Sequence, residues 1–288
     1  MAARTDCYLP PVTISSVGLI GSGIMGSGIA EVAAKAGFDV VLRSRQLEAA
    51  QAMKTALAKS LSKQVERGKL DQATADATLA RVSVTADLAD LADCDLIIES
   101  VVEDIAVKTA LFAELDAVAK AGAILASNTS TLSINDMALV TSRPEAVCGV
   151  HFFNPAPAMA LVEIVRSMTS SDATIEAARA FAVACGKDAV DVLDKPGFIV
   201  NALLFPFLNN AVRIFEEGRA SIADIDTAMR GGCNFPLGPF ALLDLVGLDT
   251  SLSILKALGE TAAASIVTMV ADGKLGRKSG EGFFTYRK

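Results

Sequence analysis

One short stretch limits the architecture of this chain more than any other: Gly21-Ser-Gly23-Ile-Met-Gly26. The residues before it, Val12 to Ile20, are rich in β-branched and apolar side chains and read as a strand. The residues after it, Ile29 to Gly37, read as a helix that the glycine ends. Asp39 to Leu42 then reads as a second strand. In this context each glycine has a use. The first permits a tight turn, the second lets a pyrophosphate approach the backbone, and the third lets helix and strand pack closely. Free N–H groups at the helix start then face the phosphates. The pattern therefore points to dinucleotide binding, with Gly21, Gly23, Ile24, Met25 and Gly26 along the cofactor, rather than to a merely structural turn.

The end of the second strand departs from the usual NAD pattern. An acidic residue there normally holds the adenine ribose hydroxyls. Here the strand runs Val40-Val-Leu-Arg43-Ser44-Arg45, with a serine between two arginines. Loss of the carboxylate removes repulsion of a 2′-phosphate, and arginine binds phosphate in a bidentate way. The cofactor is NAD or NADP, with the balance tilted to NADP; the alternative is two arginines on a solvated loop.

The basic character continues. Between Arg43 and Lys69 there are seven basic and two acidic residues, a net +5 in a chain of net charge −7. Glu48 to Arg67 reads as an amphipathic helix, with Met53, Leu57, Leu61 and Val65 on one face and Lys59, Lys63 and Arg67 on another. That row is either a solvated face or the seat of an anionic ligand. The overall acidity argues against nucleic acid as the main partner.

No run of 18 or more apolar residues exists in the sequence, although 52% of it is apolar. The start of the chain, with Arg4 and Asp6 but no apolar core before Pro10, does not read as a signal peptide. The apolar excess is expected at a subunit interface. Five widely spaced cysteines without a Cys-x-x-Cys, and a single histidine, argue against a metal site and for reduced thiols in a cytoplasmic protein.

The single histidine, His151, opens the stretch His151-Phe-Phe-Asn154-Pro-Ala-Pro-Ala-Met-Ala-Leu-Val-Glu163. Histidine alone has an unperturbed pKa close to neutrality. Glu163 lies within the apolar run Leu-Val-Glu-Ile-Val, and a carboxylate so placed needs a partner. Pro155 and Pro157 forbid a continuous helix, so strand, turn and strand can bring the two face to face. Further strands are expected at 95–100, 123–127, 146–150 and 188–193, with helices at 71–81 and from Glu103 through Lys120. After Asp194-Lys-Pro-Gly197 the chain becomes helical: a long apolar helix from Phe198 to Glu217, a helix capped by Ser221 and Asp224, a glycine- and proline-rich turn over 231–239, then three more helices. The reading is an α/β Rossmann-type dinucleotide-binding domain, residues 1–194, followed by an all-α C-terminal domain, residues 195–288, that pairs with a second copy of itself.

The motifs Gly21-Ser-Gly-Ile-Met-Gly-Ser-Gly-Ile-Ala, Ser127-Asn-Thr-Ser130, His151-Phe-Phe-Asn-Pro, Leu161-Val-Glu163, Pro196-Gly-Phe-Ile-Val-Asn201 and Gly276-Arg-Lys-Ser-Gly-Glu-Gly-Phe resemble those of the 3-hydroxyacyl-CoA dehydrogenases, in their short bacterial 3-hydroxybutyryl-CoA form. The resemblance runs from Val12 to Tyr286. It implies reversible oxidation of the 3-hydroxyl of an acyl-CoA by a nicotinamide cofactor. His151 becomes the general acid and base, Glu163 its orienting partner, and Ser130 and Asn201 the donors to the substrate oxygen. Glu103, Lys108, Asn128, Ser130 and Asn154 would touch the cofactor, and Ser60, Lys63 and Arg67 the CoA. The rival readings are a dehydrogenase of a free hydroxy acid and an idle dinucleotide-binding relative. The departure from the family is Ser44, where NAD-using members have Asp.

Overall fold

The computed structural model describes residues 13–286, so the opening residues and Cys7 lie outside what is described. The chain divides into two compact units between Asp194 and Lys195.

The first unit is built on an eight-stranded sheet. Its strands are β1 (Ser16–Ile20), β2 (Asp39–Arg43), β3 (Val82–Thr85), β4 (Leu96–Glu99), β5 (Ile124–Ser127), β6 (Val147–Phe152), β7 (Leu161–Arg166) and β8 (Asp188–Leu193). The order across the sheet is β3-β2-β1-β4-β5-β6-β7-β8. All neighbours are parallel except β6 and β7. The helices are α1 (Ile24–Lys35), α2 (Leu47–Glu66), α3 (Gln72–Ala80), α4 (Ile105–Val118), α5 (Ile134–Ala138) and α6 (Asp172–Ala184). The direction of strand succession reverses at β1, which has β2 on one side and β4 on the other, and ligands bind at such a switch point.

Strand alternation decides which side of the sheet each residue serves. Val150, Phe152, Val162 and Ile164 join the apolar core that includes residues of α1, α2, α3 and α6. His151 and Glu163, one step out of phase with them, therefore face the other side of the sheet. A Cβ at Gly149 would come within 2.7 Å of Val165 and 3.1 Å of Ile134 in α5, so that face is also closely packed.

The second unit is helical: α7 (Val200–Glu216), α8 (Ile222–Cys233), α9 (Pro239–Val246), α10 (Leu248–Ala257) and α11 (Ala264–Ala271). Phe205, Leu208, Val212, Phe240, Leu243, Leu255 and Ile266 form its core. Ser221 caps α8, accepting from the Asp224 N–H at 3.1 Å and donating to its carboxylate at 2.6 Å. The closing loop is clasped by Asp244, which accepts from the Phe283 and Phe284 N–H groups and the Tyr286 hydroxyl.

Several elements differ from the sequence expectation. Helix α1 starts at Ile24, not Ile29, because Gly26 and Gly28 lie inside it despite their low helix propensity. Their lack of Cβ is what lets the helix lie close to its neighbours. Strand β3 and helices α5 and α6 carry no expectation, and Gly231 and Gly232 continue α8 rather than forming a turn. Helix α6 (DATIEAARAFAVA) buries a face made of Ile175, Ala178, Phe181 and Ala182, and Ser171 caps it. Among the described residues no helix is long and apolar enough to cross a membrane, and no cluster of side chains suits a metal ion.

Candidate active site

The glycine turn joins the end of β1 to α1. Gly21 has φ +127°, and a Cβ there would lie 2.2 Å from the Ser100 carbonyl at the end of β4. A Cβ on Gly26 would lie 2.4 Å from the Gly21 carbonyl. These two glycines are required by the protein's own packing. Gly23 is different: a Cβ there would meet nothing within 4 Å among the described residues. Among the described residues no side chain caps α1, and no acid sits in its first turn. The first N–H groups of α1 lack intrahelical partners and stand beside open space, the arrangement that receives a phosphate. Ile24 beside them is 76% exposed, and Met25 is half-buried.

At the end of β2 the Arg43 Nε donates to the Ala86 carbonyl at 3.3 Å. Ser44 is buried, its N–H bonded to the Thr85 carbonyl, and Arg45 is exposed.

A buried charge network underlies the next two strand ends. Glu99, fully buried, accepts from the Lys108 ammonium, from the Val101 N–H at 2.6 Å and from the Ser127 hydroxyl at 2.7 Å. Lys108, itself buried, also lies 3.4 Å from Glu103. One oxygen of Glu103 gathers the loop after β5: it accepts from the Thr129 hydroxyl, the Ser130 N–H at 3.1 Å and the Thr131 hydroxyl at 3.3 Å. The Ser130 hydroxyl is only at the limit, 3.5 Å away, so its proton is not committed to Glu103. Burial pushes the Glu103 pKa up, but the Lys108 charge and the Thr129 and Ser130 hydrogen bonds outweigh it and hold it below the ordinary value. Asn128 accepts from the Phe152 N–H at 2.8 Å and donates to the Ser100 hydroxyl at 3.4 Å, linking three strand ends.

His151 and Glu163 are directly opposed in the antiparallel register of β6 and β7. Nδ1 of His151 lies 2.7 Å from Oε2 of Glu163, with the His151 side chain 8% and the Glu163 side chain 0% exposed. An ionised carboxylate only accepts, so beside an ionised Glu163 the hydrogen belongs on Nδ1 and Nε2 is the nitrogen left to take up or release a proton. The Phe153 ring packs against the imidazole, centroids 4.4 Å apart. Asn154 follows, exposed on the β6–β7 loop.

Ser60, Lys63 and Arg67 lie on α2 and at its C-cap. Lys63 and Arg67 are exposed, while Ser60 accepts from Gln64 at 3.3 Å. Asn201 belongs to the other unit, buried in the first turn of α7.

Two family models account for nearly all of the chain. That of the 3-hydroxyacyl-CoA dehydrogenase NAD-binding domain matches residues 16–195, and that of the C-terminal domain matches residues 197–286. The chain belongs to the 3-hydroxyacyl-CoA dehydrogenase family. It is 43% identical over 281 residues to the 3-hydroxybutyryl-CoA dehydrogenase of Bradyrhizobium diazoefficiens, covering 95% of this chain and 96% of the relative. It is 44% identical over 286 residues to that of Mycobacterium tuberculosis, covering 95% and 99%. Among solved structures, the (S)-3-hydroxybutyryl-CoA dehydrogenase of Ralstonia eutropha matches with a TM-score of 0.93 at 40% identity, over 96% of this chain and 100% of that one.

For a member of this dehydrogenase family the open face at Gly23 has a plain meaning. Among the described residues nothing fills the side chain's worth of room there, beside uncapped N–H groups, so the residues present fit a dinucleotide's pyrophosphate. Sequence reasoning missed Glu99, the residue on which the Lys108 and Ser127 contacts converge. Its signal was a glutamate closing an otherwise apolar strand, Leu-Ile-Ile-Glu99, where a buried carboxylate demands partners.

Proposed function

We propose that this protein interconverts 3-hydroxyacyl-CoA, 3-hydroxybutyryl-CoA first among them, and the matching 3-ketoacyl-CoA. The observation that carries this reading is the buried His151–Glu163 pair, 2.7 Å apart, on a sheet whose first turn suits a pyrophosphate. The nicotinamide, when bound, supplies the hydride acceptor for oxidation and the donor for reduction. As the C3–H bond breaks and its electron pair leaves carbon, the hydroxyl proton passes to Nε2 of His151 and the C–O bond becomes a carbonyl. In the reverse direction the imidazolium returns that proton to oxygen. A base so placed contributes about 10²–10⁴-fold. Glu163 keeps the tautomer and stabilises the imidazolium. Ser130 and Asn201 donate to the oxygen as negative charge gathers on it. Glu103, Asn128 and Asn154 line the nicotinamide side; Lys108, expected to touch the cofactor too, is instead buried against Glu99 and Glu103 and acts from behind through Glu103.

Ser44 and its flanking arginines favour NADP over NAD, since no carboxylate is present there to repel a 2′-phosphate. Lys63 and Arg67, with Ser60, take the phosphates of CoA. The helical unit pairs with a second copy through exposed apolar residues such as Leu203, 70% exposed, and Leu245, 49% exposed. We place the protein in the cytoplasm, in keeping with Cys94, Cys148, Cys185 and Cys233 being free thiols.

Initial rates of reduction of acetoacetyl-CoA and of free acetoacetate, each with NADH and NADPH, test the reading. Turnover of the thioester alone is expected. Equal turnover of the free acid overturns the CoA assignment, and no turnover of either overturns the dehydrogenase assignment.

A further inference from the structure

Lys187 is a buried lysine that the chemistry above does not use. It lies between α6 and β8 and is 9% exposed. Among the described residues no carboxylate pairs with it. Its ammonium instead donates to two backbone carbonyls of one loop, Ala156 at 2.7 Å and Met159 at 2.8 Å. That loop joins β6 to β7, and so joins His151 to Glu163. It starts with Phe153, whose ring packs on the imidazole, and Asn154. A buried ammonium bonded only to carbonyls carries a desolvation cost that a neutral side chain would not. Burial accordingly pushes the Lys187 pKa below the ordinary lysine value, with Cys185 opposing and Lys35 adding to the effect.

The same loop is held from its other side. A Cβ built on Gly28 of α1 would come within 3.2 Å of both Ala156 Cβ and Pro157 Cδ. Ala156 is itself 2% exposed and belongs to the core beneath α1. The loop is thus seated against the helix that carries the dinucleotide turn, while Lys187 gathers its carbonyls.

We propose that Lys187 is a positioning residue for proton transfer: by gathering the Ala156 and Met159 carbonyls it holds the His151–Glu163 hairpin in register with the cofactor helix. It touches neither substrate nor reacting atoms, and the inference rests on His151 being the acid and base. Without the clamp the hairpin loop relaxes, Phe153 no longer backs the imidazole, and Nε2 is misaligned with the substrate oxygen. Misalignment slows the proton's passage and leaves the acyl-CoA contacts on α2 untouched.

The test uses the full-length protein with Lys187→Met, which keeps the length of the side chain and removes the donors, with Gly28→Ala, which presses the loop from the other side, and with the double variant. Acetoacetyl-CoA reduction is measured in water and in deuterium oxide, with thermal melting as the check on folding. Lys187→Met is expected to lower kcat about tenfold. The acyl-CoA KM stays within about twofold and the solvent isotope effect on kcat rises, because proton transfer has become slower. Gly28→Ala gives a smaller loss of the same kind, and the double variant loses less than the product of the two, since both act on one loop. A Lys187→Met protein with normal kcat and isotope effect, whatever its melting temperature, overturns the proposal. If the variant melts too low to assay, the Gly28→Ala protein decides alone: an unchanged isotope effect overturns it. His151→Ala run in parallel separates the two levels. Near-normal turnover there refutes the base assignment itself, whereas an inactive His151→Ala beside a normal Lys187→Met refutes only the clamp.

Discussion

Replacing Glu163 by Gln keeps the shape of the buried side chain and removes its charge. The carboxylate is 0% exposed and lies 2.7 Å from Nδ1, so its effect on the imidazolium is not screened by water. A hydrogen bond to a charged group contributes about 1.5–3 kcal/mol, against about 1 kcal/mol for a neutral one. The transition state, in which the imidazole carries the substrate's proton, therefore loses about 0.5–2 kcal/mol, or roughly 2–30-fold in rate. That holds if the amide turns its oxygen to Nδ1. If it turns its NH2 instead, Nδ1 must accept, the hydrogen moves to Nε2, and the base is disabled altogether. Either way kcat/KM is expected to fall, by roughly 2–30-fold in the first orientation and further in the second. The assay is absorbance of the reduced nicotinamide, run with acetoacetyl-CoA and, in reverse, with 3-hydroxybutyryl-CoA. A substitution cannot alter the equilibrium between substrates, so with the equilibrium constant fixed both directions must fall together. Glu163→Gln activity equal to that of wild type would refute the reasoning, because a buried charge-assisted bond cannot then contribute to the reaction.

Other outcomes follow from the same geometry. Ser44→Asp places a carboxylate at the end of β2 and is expected to lower the NADPH/NADH ratio of kcat/KM; an unchanged ratio leaves Arg43 and Arg45 without a role in the choice of cofactor. Charge reversal at Lys63 and Arg67 is expected to raise the acyl-CoA KM with kcat little changed, and an unaltered KM leaves that face of α2 merely solvated. Glu103 has its pKa held below the ordinary value, so its contribution to stability is complete above the unfolded carboxylate's value of about 4.3 and is lost as pH falls through the folded one. Melting curves of wild type and Glu103→Gln should therefore differ at neutral pH and converge on acidification; a constant difference would count against the Lys108 charge and the Thr129 and Ser130 hydrogen bonds as its origin.

The parts of this fold that were legible in the sequence are those written locally. The spacing of Gly21, Gly23 and Gly26 is local, as is the hairpin that opposes His151 to Glu163. Both prolines of that hairpin were visible, and the antiparallel register of β6 and β7 supplies the rest. The Ser221 cap was likewise visible, since capping acts over a single turn. What stayed hidden depends on partners distant in sequence. Glu99 meets Ser127 only because β4 and β5 are neighbours, and nothing in a linear reading pairs them. Lys187 looks like a surface lysine until the β6–β7 loop is laid over it. Asp244 looks like a helix-surface acid until the closing loop brings Phe283, Phe284 and Tyr286 to it. Helix α1 was misplaced for a related reason: a glycine's cost in a helix is local, but the close packing that offsets it is not.

The central claim is that His151 moves the substrate's proton. Its most direct measurement is single-turnover reduction of acetoacetyl-CoA by the His151→Ala variant, with cofactor affinity measured by fluorescence on the same sample. Loss of at least about a hundredfold in the chemical step, with cofactor affinity close to wild type, is the predicted result. A chemical step near the wild-type rate would contradict it.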